Sequence, residues 1–191
     1  AGARFSEYLS IIGRQVDDIG RMVDEFSDFA RMPQPAMEGL SLAELAHGQV
    51  ALFEAQKVEF STDLDKDPDG GMVMGDAGLL RQALTNIIQN AIDSLSGARV
   101  AEPQIRLALS VNDGQVCLEV SDNGPGFPKK GRSSLLEPYV TGRDKGTGLG
   151  LAIVSKVVKD HSGELEVADA DDGGAKGVIR LAQLGAAGAV R

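Results

Sequence analysis

The chain has 191 residues, 42% of them hydrophobic, enough for one complete domain with a real core plus an appendage. With 19 Lys and Arg against 28 Asp and Glu, its formal charge of −9 argues against nucleic acid or an anionic membrane surface as a partner. The lone Cys117 excludes an internal disulfide, no apolar run reaches the roughly 18 residues of a spanning helix, and no signal peptide opens the chain. A cytoplasmic location without direct membrane contact is expected for this stretch, even if a larger parent is anchored in the inner membrane.

Phe5, Leu9, Ile12, Val16, Ile19, Val23, Phe26 and Ala30 alternate steps of four and three, the a/d seam of a coiled coil or helical bundle. Tyr8, Ile11, Met22 and Phe29 widen that stripe, which suggests that more than two helices pack together. Such a helix is about 40 Å long, and either a second copy or a fold-back onto its own domain must cover it. Pro33 and Pro35 stop it, because proline lacks the amide donor and pushes its predecessor out of the α region. The predicted organisation is therefore a helix over 1–32, a linker over 33–40, a globular domain over 41–184 and a disordered Gly/Ala tail over 185–191.

Ser41 is placed to cap a second helix running to about Ala55, with Glu44 at the capping-box position. Strands follow at Lys57–Leu64 and Met72–Met74, separated by an Asp67-Pro-Asp-Gly-Gly71 turn. Asp76 then caps a long central helix that ends by Gly97. In it Leu84, Ile87, Ile88, Ala91, Ile92 and Leu95 form one apolar face, and Asn86, Asn90 and Asp93 follow the same spacing beside it. That polar row is either a solvated face or a ladder of oxygen ligands suited to a hard cation such as Mg²⁺.

Gln104–Val111 and Gln115–Ser121 read as a hairpin turning at Asn112-Asp-Gly114. Cys117 sits in the second strand as a small hydrophobe. The segment from Asp122 to Gly150 is too rich in glycine, proline and charge for a regular element. A helix over Leu151–Asp160 and strands at Glu164–Ala168 and Val178–Leu184 close the domain.

Chemistry gathers in the loop. It opens with Asp122-Asn-Gly-Pro-Gly-Phe127 and ends with Gly146-Thr-Gly-Leu-Gly-Leu151 running into a helix. Glycines let the backbone approach a ligand, and a helix start offers unpaired N–H groups to phosphate. Lys129, Lys130, Arg132, Arg143 and Lys145 lie between, positive charge concentrated against the global sign, as a polyphosphate requires. The P-loop pattern is missing, and Gly146-x-Gly148-x-Gly150 has its third glycine too early for the dinucleotide fingerprint.

In this order and spacing, Asn86-x-x-x-Asn90-Ala91, Asp122-x-Gly124-x-Gly126 and Gly146-Thr-Gly-Leu-Gly-Leu-Ala152 resemble the Asn-box and two glycine boxes of the ATP-binding catalytic domain of sensor histidine kinases, the GHKL or Bergerat fold shared with gyrase and Hsp90. The resemblance covers roughly residues 36–184. The heptad helix, with Asp28-Phe-Ala-Arg-Met-Pro33 at its end, is similar to the second dimerisation helix of nitrogen-regulation-type sensor kinases.

The resemblance implies a two-layer α/β sandwich: a mixed, mostly antiparallel sheet with three helices on one face. It implies ATP or ADP with Mg²⁺ as ligands. Asp122 would accept from the adenine amino group, Asn90 would ligate Mg²⁺, and Gly124, Gly126, Gly146, Thr147, Gly148, Leu149 and Gly150 would line the nucleotide. Residues from about Pro128 to Lys145 would form a lid, with Arg143 and Lys145 on the phosphates and Leu135-Leu136-Glu137-Pro138-Tyr139 in place of its usual phenylalanine box. The implied partners are the dimerisation helices of a second copy and a response regulator.

Asn86 stands where the hydrolysing relatives carry a glutamate base, and an amide takes no proton at neutral pH, so transfer is expected over hydrolysis. Asp93 stands where many histidine kinases carry a phosphate-binding lysine. Neither His47 nor His161 has the setting of a phosphoacceptor, so self-phosphorylation of this segment is not expected. Two readings compete with the kinase one: a nucleotide-insensitive dimerisation module, and an ATPase of the gyrase class.

Overall fold

The structure, a computed structural model, describes residues 8–9, 12–13, 16, 19–20, 23, 26–27, 29–64, 69, 71–127, 135–138, 148–171 and 173–185. In chain order the elements are β1 (Glu38–Ser41), α1 (Leu42–Phe53), β2 (Glu59–Asp63), β3 (Met72–Gly75), α2 (Ala77–Ala98), β4 (Gln104–Asn112), β5 (Gln115–Asp122), α3 (Gly150–Asp160), β6 (Glu164–Asp169) and β7 (Ala175–Ala182).

Every described residue from Tyr8 to Ala30 is helical, and the expected seam is open. Leu9, Ile12, Val16, Ile19, Val23 and Phe26 are 49–61% exposed. Among the described residues, Phe29 and Met32 at the end of this segment pack against the core. No helix among the described residues is long and apolar enough to cross a membrane.

The main sheet has the order β2-β4-β5-β7-β6, with β2 parallel to β4 and every other pair antiparallel. The β4–β5 hairpin turns at Asp113 and Gly114, with φ of 50° and 73°, so both central residues take the left-handed conformation that matches strand twist. Ile105, Leu107 and Leu109 on β4, and Val116, Leu118 and Val120 on β5, are buried on one face, while charged side chains occupy the other. There Lys176 lies 4.0 Å from Glu119 and Arg106 3.5 Å from Asp63.

The three helices cover the buried face. All six predicted core positions of α2, from Leu84 to Leu95, are no more than 7% exposed, and each large one contributes about 2 kcal/mol by leaving water. Thr85 Oγ1 donates to the buried Gln49 Oε1 at 2.7 Å, joining α2 to α1. The predicted caps are present: Ser41 Oγ accepts from the Glu44 amide at 3.2 Å, and Asp76 Oδ1 accepts from the Gly78 and Leu79 amides.

Several boundaries differ from expectation, among them the end of β5, which reaches Asp122. The end of the predicted linker is strand β1, antiparallel to β3, so β3 forms a small separate sheet rather than joining the main one. Helix α2 runs through Gly97 because Arg99 takes the left-handed cap at φ 53°, with the Val100 amide closing back on Leu95 O at 3.1 Å. The last strand begins at Ala175 rather than Val178, pairing as far as Asp169. Residues 186–191 of the predicted tail lie outside the described residues.

Candidate functional site

Asp122 closes β5, and strand alternation fixes where it points. Val116, Leu118 and Val120 face the helices, so the next residue in that row must too, and Asp122 is only 7% exposed. Its Oδ1 accepts from the Gly124 amide at 2.8 Å and from the Ala175 amide at 3.3 Å. Asn123 clamps the strand entry alongside: its side chain accepts from the Gln104 amide and donates to Glu102 O, both at 2.8 Å.

The β6–β7 turn braces this box from behind. Gly174 has φ +91°, and a Cβ there would fall 1.8 Å from the Asp122 carbonyl oxygen and 3.0 Å from the Gly124 nitrogen. Gly126, at φ +76°, faces the same turn, where a Cβ would lie 3.0 Å from Gly174 O and 3.2 Å from Asp169 Oδ1. Gly124 instead opens toward α2. A side chain there would meet Asp122 Oδ1 at 2.8 Å, and Ser94 Oγ and Leu95 Cδ2 at 3.5 Å each.

One turn back along α2, Asn90 meets the second glycine box. A Cβ on Gly150 would sit 3.2 Å from Asn90 Nδ2 and 3.6 Å from its Oδ1, so glycine is what lets α3 begin against this amide. The residue before the helix, Leu149, is 1% exposed and supplies no side-chain cap. A helix start whose N-cap residue supplies no capping side chain is one that can receive an anion. Gly148 precedes it at φ +71°.

Asn86, a further turn back, has its Nδ2 buried without a hydrogen-bond partner, the one such side-chain atom among the described residues. A buried orphan amide is costly, and a ligand or its bound water would satisfy it. Asp93, by contrast, is exposed and accepts from Gln89 Nε2 at 2.8 Å. The polar row of α2 therefore divides: the Asn86 amide nitrogen is buried and Asn90 meets Gly150, while Asp93 lies on the solvated face.

The first glycine box, the Asn-box and Gly148 to Gly150 are thus brought together. Arg143, Lys145, Gly146 and Thr147, with Lys129, Lys130, Arg132 and Tyr139, lie outside the described residues. Of the expected lid segment, Leu135 and Leu136 form a short helical turn in which Leu135 is buried.

The histidines divide as well. His47 is exposed on α1. His161 is 6% exposed and caps α3: its Nδ1 donates to Val157 O at 2.7 Å, and its Nε2 accepts from the Asp76 amide at 2.9 Å. Those partners engage both ring nitrogens. Asp76 in turn accepts from the Ala36 amide at 2.9 Å. Amide bonds from Leu79, then Ala36, then Gly78 hold its carboxyl below the ordinary value, against partial burial. The capping role of Asp76 was visible in the sequence, but its hold on Ala36 and its contact with His161, 85 residues away, were not.

A fold of three helices on a mixed five-stranded sheet, with an inward carboxylate and glycines of both boxes lying against one helix, defines a class. A profile of the histidine kinase-, DNA gyrase B- and HSP90-like ATPases matches residues 75–184, and the chain belongs to that family. Within it the chain is homologous to the nitrogen regulation protein NtrY of Azorhizobium caulinodans, with 41% identity over 172 residues, covering 88% of this chain and 22% of that protein. It therefore spans less than a third of such sensor proteins. Among solved structures, the catalytic domain of histidine kinase ThkA superposes at a TM-score of 0.67 with 26% identity, covering 77% of this chain and 97% of that one. Full-length ShkA, solved in complex with AMPPNP, superposes at 0.73 with 24% identity over 93% of this chain and 39% of that one, a likeness of fold.

Proposed function

We propose that this chain is the nucleotide-holding catalytic portion of a sensor histidine kinase, which positions ATP for transfer of its γ-phosphoryl group to a histidine in another segment. The observation that carries the proposal is the double junction on α2: Asn90 against Gly150, and the Ser94–Leu95 turn against Asp122 and Gly124. One helix thus reaches both a helix start suited to phosphate and a buried carboxylate suited to a base amino group.

Asp122 would accept from the adenine amino group, its orientation fixed by the Gly124 and Ala175 amides. The first turn of α3 and the lid cations Arg143 and Lys145 would hold the phosphates. Asn90 would offer an amide oxygen to Mg²⁺, a donor that suits a hard cation. When bound, that ion would neutralise charge developing on the phosphates. Asn86 would orient bound water or phosphate but could not deprotonate water, which favours transfer over hydrolysis. With both its nitrogens engaged, His161 is a poor acceptor. The open seam from Leu9 to Phe26 would be covered by helices of a second copy, and a response regulator would take the phosphoryl group onward.

Calorimetric titration with ADP, with and without Mg²⁺, tests the reading on wild type and Asp122→Asn. Wild type should bind, and the amide should weaken binding about tenfold or more, since it removes a charged acceptor and sets a donor against the amino group. No binding by wild type, or equal affinity of the two proteins, would overturn the proposal and leave the dimerisation module. Steady phosphate release from ATP that is lost in Asn86→Ala would favour the hydrolase.

A further inference from the structure

We infer that Ser94 reads the purine base beside Asp122, an assignment that rests on the nucleotide reading above. Three groups converge over the bare face of Gly124. Measured from the position a methyl group would occupy there, Asp122 Oδ1 is at 2.8 Å, Ser94 Oγ at 3.5 Å and Leu95 Cδ2 at 3.5 Å. The niche therefore combines an acceptor-only carboxylate, a hydroxyl able to donate, and an apolar wall.

Adenine matches that set along one edge. Its 6-amino group is a donor flanked by two ring nitrogens, N1 and N7, that only accept. With the amino group on Asp122, the Ser94 hydroxyl donates to a flanking nitrogen and Leu95 covers the ring. Guanine reverses the pattern, setting its O6 carbonyl against the carboxylate and its N1–H against the hydroxyl.

Two further observations separate this role from an ordinary helical serine. A serine inside a helix commonly bonds back to the carbonyl four residues earlier, yet no hydrogen bond of the Ser94 side chain is found among the described residues. The side chain is also half-buried, with its oxygen near the open face of Gly124. Asn90 and Ser94 lie one turn apart, so the two ends of the nucleotide are sensed by consecutive turns of one helix.

The test is a set of titrations with ADP, 1-deaza-ADP, 7-deaza-ADP and GDP on wild type, Ser94→Ala and Ser94→Thr. Wild type should lose about fivefold in affinity with one of the two deaza analogues, the value of one hydrogen bond. Ser94→Ala should lose about as much for ADP and be indifferent to that same analogue, while Ser94→Thr retains the wild-type pattern. Alanine is a better helix former than serine, so the variant keeps its fold, which its thermal midpoint checks. The inference is overturned if Ser94→Ala binds ADP like wild type, or if the serine and deaza losses simply add. Those results would leave Asp122 as the sole base contact and the nucleotide reading intact. Failure of wild type to bind ADP would overturn both.

Discussion

The two glycines of the β6–β7 turn offer a matched pair of substitutions. Gly173 and Gly174 have nearly the same φ, 88° and 91°, so alanine at either carries a similar backbone penalty, about 1–2 kcal/mol. Their surroundings differ completely. A Cβ on Gly173 meets nothing within 4 Å, whereas one on Gly174 falls 1.8 Å from Asp122 O and 2.7 Å from its carbonyl carbon. The obstacle is backbone and cannot rotate away, so the turn must retreat by roughly 1 Å or more, at about 1–3 kcal/mol of overpacking. Gly174→Ala should therefore be less stable than Gly173→Ala by about 1–3 kcal/mol in urea denaturation. The retreat also carries the Ala175 amide off Asp122 Oδ1, so ADP should bind about tenfold more weakly to Gly174→Ala and almost unchanged to Gly173→Ala. Equal midpoints and equal affinities for the two variants would refute the claim that this turn braces the Asp122 carboxylate.

Two further outcomes follow from the contacts at the start of α2. Asp76→Ala removes the acceptor for the Gly78, Leu79 and Ala36 amides and should cost about 2 kcal/mol near neutral pH. The Asp76 carboxyl lies below its ordinary 3.8 in the folded chain. Its contribution is therefore complete above about pH 4 and fades as pH falls through the lowered value, so denaturation curves of wild type and variant should converge in acid. A difference that persists or grows in acid would refute the assignment. His161→Phe leaves the Asp76 amide and Val157 O without their side-chain partner and should cost about 1–3 kcal/mol in thermal or urea unfolding. Unchanged stability there would mean that the ring only fills space.

The features read correctly from the sequence were those with local causes. The α2 face, both serine and aspartate caps and the Asn112–Gly114 hairpin each depend on residues within a few positions of one another. Asp122 was expected to open the loop after a strand ending at Ser121; β5 instead extends to it, and alternation from Val116 turns it inward. What escaped was non-local. Strand β1 is four residues, Glu38–Ser41, with no alternating pattern, and exists because β3, more than thirty residues on, offers it a ladder. Nothing near Gly174 announced that it lies against Asp122, since that approach depends on the register of β5 with β7. Ser94 had a readable signal: it continues the four-residue step from Asn86 and Asn90, although the charged Asp93 beside it drew the ligand reading one position early.

The bond from the Ala36 amide to Asp76 governs how rotation of the long helix reaches the domain. From residue 36 onward the chain is fastened, first to the α2 cap and then through β1 to β3. Before it, Phe29 and Met32 rest on the core. Any swivel between helix and domain must be absorbed in residues 33–35, and two of those three are prolines with φ fixed near −65°. The joint is therefore short and stiff. A displacement of the long helix would thus be felt at the first turn of α2, the helix on which Asn86, Asn90 and Ser94 lie.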